Sequence, residues 1–230
     1  MEDVKEKKTQ LIKPITSKYY NYEVKMMQLT VNKNGDKKVP TAYSRTNPFQ
    51  AKVLKNVNQN GAGSSKETRH IELSLEGSGL SYIPGDALGV VPKNDPELVA
   101  SLLEEMHWDE KTAVTINKQG ETLPLKEALT DYFEITLLSK KILQAAAEFT
   151  ENEELKNLVL VENATQLKEY TNGRDLLDML RDFGPWKTSS QEFVSLLRKM
   201  TPRLYSIASS MAAHPNEVHL TIGAVRYNAH

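Results

Sequence analysis

TPRLYSIASS, residues 201–210, follows a long stretch of helical periodicity and returns the chain to strand texture. Pro202 ends the helical pattern. Tyr205 and Ile207 favour a pleated strand. In such a strand Arg203 and Tyr205 share one face and Ser206 points elsewhere. A second strand follows in EVHLTIGAVRY, residues 217–227. Val218, Leu220 and Ile222 form its core face. His219, Thr221, Gly223, Val225 and Tyr227 form the other. Two strands alone make a poor domain. They need the strands that precede the helical stretch.

Those strands are legible upstream. FQAKVLKN (49–56) alternates apolar and polar residues, and RHIELSL (69–75) follows a loop rich in Asn, Gly and Ser. Pro84-Gly85 suits the central positions of a type II turn, because proline presets φ and glycine accepts φ > 0. Leu88 to Val91 is a short buried strand closed by Pro92.

At Asp95 the period changes. Asp95 is an N-cap and Pro96 a first helical residue. Leu98, Val99, Leu102 and Leu103 then share a helical face. LPLKEALTDYF (123–133), SKKILQAAAEF (139–149) and DLLDMLRDF (175–183) repeat the pattern. Ser189-x-x-Glu192 is a capping box before Phe193. Trp108 and Trp186 follow helical segments and are packing anchors.

The expected organisation is a β-domain carrying a helical insertion. Residues 1–44, Lys-rich and polar, are a linker or irregular arm, in which KMMQLTV is the one candidate strand. Residues 45–93 are the first part of the β-domain, 94–200 the helical segment and 201–230 the second part. The chain stops directly after a long strand, so we expect a piece of a longer protein.

Composition narrows the function. The formal net charge over 230 residues is −1, which gives no electrostatic case for nucleic acid. No apolar run approaches the roughly 20 residues of a membrane span, and the charged N-terminus lacks a signal-peptide core. Cysteine is absent, which removes disulfides and thiol chemistry and fits a cytoplasmic location. The five histidines are scattered without metal-ligand spacing, so no metal site is expected. His70 is either a structural histidine or a lining residue of the β-domain. No G-x-S-x-G elbow supports Ser206 as a hydrolase nucleophile.

The terminal strands suit a ligand with several characters. An arginine fork pairs with phosphate. A tyrosine on the same face, about 7 Å along, stacks on an aromatic ring. A mid-strand glycine admits close approach. A flavin nucleotide combines phosphates, a polyol and a flat tricycle. Spacing alone equally accommodates a solvated arginine and a core tyrosine.

RLYSIASS followed by EVHLTIGAVRY resembles the FAD-binding segment of the diflavin reductases. The resemblance extends back through NPFQAKVLKN, RHIELSLEGSGLSYIPGDALGVVPKN and LPLKEALTDYFEIT, covering about residues 47–227. Within the family it is most similar to members that feed a sulfite-reducing haemoprotein. NADPH–cytochrome reductases and nitric oxide synthase reductase domains are relatives.

The resemblance implies an antiparallel Greek-key FAD-binding barrel interrupted by an all-helical connecting insertion. It implies that Arg203 and Leu204 lie on the FAD, with Arg203 at the pyrophosphate. Tyr205 would stack on the isoalloxazine, and Ser206 would be the catalytic hydroxyl near N5. Thr221, Ile222 and Gly223 would edge the flavin, Tyr227 would contact FAD further along, and Thr136 would reach it from the connecting region. FMN and NADPH would be bound by other domains of the parent chain. The implied partners are those FMN- and NADP-binding domains and the haemoprotein. A fragment without those domains would not be active by itself. The alternatives are the same module from a cytochrome-reductase-type enzyme, and a cofactor-free interaction domain.

Overall fold

The computed structural model describes residues 23–29, 43 and 47–225. Its contacts divide into two compact units. One spans Lys93–Thr201; the other comprises the segments that end at Pro92 and resume at Pro202.

The flanking segments form an antiparallel sheet. Its strands are β1 (Glu23–Leu29), β2 (Phe49–Asn58), β3 (Glu67–Ser74) and β4 (Ala87–Val91), with β7 (Arg203–Ser206) and β8 (Glu217–Ala224) arriving after the helices. Their spatial order is β7-β4-β1-β2-β3-β8. β7 pairs with β4, matching Arg203 to Val90 and Tyr205 to Leu88. β8 pairs with β3, matching His219 to Glu72, Thr221 to His70 and Gly223 to Thr68. β2 carries a register shift between Val53 and Lys55, an irregularity that bends a strand.

β1 overlaps the candidate strand KMMQLTV, so residues 1–44 are not linker or arm throughout. Residues 23–29 are a strand inside the sheet, paired with β4 on one side and β2 on the other. KMMQLTV marks the strand, but the polar, lysine-rich sequence around it does not say what it pairs with. The strand is specified by neighbours on both edges, which local composition does not report.

One face of this sheet covers a core of Ala51, Leu73, Leu75, Leu80, Tyr82, Leu88, Val218 and Leu220. The type II turn at Pro84-Gly85 forms. Asp86 N–H donates to Ile83 O at 3.1 Å, and Gly85 takes φ +97°. The buried Asp86 side chain locks it by accepting from Ile83 N at 3.0 Å.

The other unit is α1 (Pro96–Glu105), α2 (Leu125–Asp131), α3 (Lys140–Ala146), α4 (Glu153–Leu158), α5 (Ala164–Thr171), α6 (Leu176–Phe183) and α7 (Ser190–Leu196). Asp95 caps α1, accepting from Glu97 N, with Pro96 in its first turn. Ser189 and Glu192 form the reciprocal box at α7. Phe193, Leu125, Leu129, Leu143, Leu155 and Met179 are fully buried in its core. Trp108 packs 5.1 Å from the Phe193 ring, and Trp186 donates Nε1–H to Leu180 O at 2.9 Å.

The helical segment is not entirely helical. β5 (Ala113–Thr115) and β6 (Thr122–Pro124) make a small hairpin. Three-residue strands are too short to show a period of two. Gly120, at φ +82°, turns the chain between them. Among the described residues no helix is long and apolar enough to cross a membrane.

Candidate functional site

β7 and β8 occupy the two ends of the sheet order, yet they meet. Ile207 and Leu220 form one antiparallel bridge, and Ala208 N–H donates to His219 O at 2.8 Å. From that bridge β7 runs back to Arg203 and β8 runs on to Ala224. Among the described residues their pairing with each other stops there. Arg203–Ser206 and Thr221–Gly223 are therefore two neighbouring stretches of strand whose facing edges are not zipped together.

Strand alternation then sorts the side chains. Tyr205, Ile207 and Ile222 pack against the sheet core. Leu204, Ser206, Thr221 and Gly223 turn outward and are exposed; Leu204 shows 57% of its surface. Arg203 stands at the exposed start of β7. A Cβ built on Gly223 would meet nothing within 4 Å. Half-buried Tyr205 has a ring partly in the core and partly available. The set presents a guanidinium, two hydroxyls, an aromatic ring and a bare stretch of backbone.

A polar frame fixes the two strands. Tyr82, buried, donates its hydroxyl to Glu217 O at 2.9 Å and lies 2.6 Å from Ser209 Oγ. Ser209 Oγ accepts from His219 N at 2.9 Å. Ser210 O accepts from Ala213 N and His214 N, starting the turn into β8. Asp86 O accepts from Ile207 N at 3.2 Å. The serines that close TPRLYSIASS are turn builders, and Tyr82 and Asp86 are supports that motif reading missed. Their partners lie more than 120 residues away, so no local signal announces them.

Thr136 belongs to the helical unit. Its N–H and Oγ1–H both donate to Glu134 Oε1, at 3.0 and 2.5 Å, and Glu134 is buried. Tyr227 lies outside the described residues.

Residues 41–230 match the family described as FAD binding domain. The chain is 64% identical over 190 residues to the sulfite reductase [NADPH] flavoprotein alpha-component of Bacillus subtilis (strain 168), covering 83% of this chain and 31% of that protein. It is 45% identical over 185 residues to the protein of the same description from Citrobacter koseri, covering 80% of this chain and 30% of the relative. For that of Escherichia coli O9:H4 the identity is 44% over 186 residues, covering 81% and 30%. The chain belongs to the FAD-binding domain family. It spans about a third of the length of these relatives.

Proposed function

We propose that this chain is the FAD-binding and connecting module of an NADPH-dependent sulfite reductase flavoprotein. The observation that carries the reading is the pair of unzipped strands with Arg203, Tyr205 and Ser206 on one and Thr221 and Gly223 on the other. The names of the relatives support the particular reductase. The meeting of the end strands at Ile207 and Leu220 supports a Greek-key barrel of the ferredoxin-reductase type, interrupted by the helical connecting unit.

The residues fit FAD, each by its own chemistry. Arg203 holds the pyrophosphate through its planar fork. Leu204 gives an exposed apolar contact. Tyr205 offers its ring for stacking. Ser206 offers a hydroxyl to the reactive edge of the flavin and is the catalytic residue of the set. Thr221 and Ile222 border the ring, and Gly223 lets the backbone approach it. Bound FAD supplies the conversion between the two-electron chemistry of NADPH and the one-electron chemistry of FMN. The protein supplies position and electrostatics.

In this reading NADPH and FMN are bound by other domains of the parent chain. The electrons leave for a sulfite-reducing haemoprotein, in the cytoplasm. The module by itself does not reduce sulfite.

Titration with FAD, followed by quenching of flavin fluorescence, tests the proposal. Saturable quenching is expected, with affinity falling at least about tenfold for Arg203→Ala and for Tyr205→Ala. Circular dichroism checks that both variants fold. Absence of saturable binding in the folded protein, or binding indifferent to both substitutions, overturns the assignment.

A further inference from the structure

The register of β3 against β8 gathers side chains that the sequence scatters. His70 and Glu72 stand two apart on β3 and share a face; Glu217 and His219 do the same on β8. Glu72 lies opposite His219 and His70 opposite Thr221. His70 Nε2 is 2.9 Å from Glu72 Oε1, and the His70 and His219 rings sit edge to face at 5.3 Å. One ligand atom each from His70, Glu72 and His219 lies within 4.8 Å of the others. His219 is buried, with 7% of its surface exposed, while His70 and Glu72 are half-buried.

We propose that His70, Glu72 and His219 bind a divalent transition-metal ion of the zinc class. Two imidazoles and one carboxylate are the donor set that zinc accepts at about 2.0–2.2 Å, with a fourth position left for water. Three atoms that already crowd within 4.8 Å close onto such an ion by small rotations of their side chains. Glu217 stands beside them. Its Oε2 is 2.8 Å from His219 Nε2 and 3.6 Å from His214 Nδ1, so a second carboxylate and a third imidazole stand beside His219.

Among the described residues, Lys55 is the lysine whose ion pair must yield, its Nζ 3.1 Å from Glu72 Oε1. It is 53% exposed at the side chain and is free to swing into water. The ion would clip β3 to β8 across their register, on strands that also carry Thr221 and Gly223. The sequence alone led to an expectation of no metal site. The signal present was H-x-E in RHIE and E-x-H in EVH, two same-face pairs whose partnership only the register reveals.

The test is zinc titration of the metal-stripped chain by calorimetry, with a parallel thermal melt. Expected are about one Zn²⁺ per chain and a raised melting temperature. His70→Gln and Glu72→Gln should each weaken binding at least about tenfold, while His214→Gln should leave it within about threefold. Both discriminating ligands lie at half-buried positions, so these variants fold even if a His219 substitution does not. Absence of saturable binding overturns the proposal. So does binding unchanged in both the His70 and Glu72 variants, or binding that depends on His214 instead.

Discussion

A side chain added at Gly223 has open space in front of it, and the residue's backbone lies outside the left-handed region. Gly223→Val therefore leaves folding intact, since a β-branched residue suits a strand. It also fills the strip that the proposal gives to the flavin. The expected outcome is a melting temperature at or above the parent's and FAD affinity lowered at least about tenfold. Unchanged affinity would remove β8 from the site. Tyr82 gives the opposite separation. Tyr82→Phe deletes a buried hydroxyl bonded to Glu217 O and Ser209 Oγ. It should cost about 1–3 kcal/mol in urea unfolding, because Ser209 and the Glu217 carbonyl are left short of a partner. The strand placement of Arg203, Tyr205 and Gly223 was legible because strand alternation is local. Tyr82, Asp86 and the His70–Glu72–His219 group were not, because each acquires its role from a strand elsewhere in the sequence.

Elements show the same division between local and non-local specification. The caps of α1 and α7 were legible because Asp95, Pro96, Ser189 and Glu192 act within one turn. β1 was legible only as the candidate strand KMMQLTV, because its pairing comes from β2 and β4, and the β5–β6 hairpin was obscured because its strands are three residues long. α6 offers a test of a cap that carries charge. Asp175 accepts from Asp178 N, and Asp178 accepts from Asp175 N in return. Burial raises the Asp175 pKa, the Asp178 charge adds to it, and the backbone hydrogen bonds only partly compensate. The folded state thus holds this proton more tightly than the unfolded chain. The associated stability is fully present below the unfolded value and is lost as pH rises through the raised folded one. Asp175→Asn keeps an acceptor for Asp178 N and removes the titration. Urea unfolding across acid to neutral pH should show that decline flattened. Asp175→Ala should lower stability by about 1 kcal/mol through loss of the cap.

Among the described residues, the two core clusters share no residue. One cluster runs from Val99 to Leu197 and lies wholly within the helical unit; the other uses Ala51 to Leu88 and resumes at Val218 and Leu220. A unit that is continuous in sequence and closed in its packing has what an independent folding unit requires. Residues 93–201 expressed alone are expected to give native-like helical circular dichroism and one cooperative thermal transition. Phe193 lies at the centre of that core at 1% exposure, in contact range of the Trp108 ring. Phe193→Ala should lower the stability of the excised unit by about 3–5 kcal/mol, the transfer and cavity cost of a buried aromatic ring. The contrast with the strands is topological. Their core needs segments from both sides of the helical unit, so residues 1–92 alone lack β7 and β8 and should show no cooperative transition. A cooperative melt from 1–92 would mean that the sheet does not need β7 and β8, and a non-cooperative one from 93–201 would mean that the helical unit is not closed in its own packing.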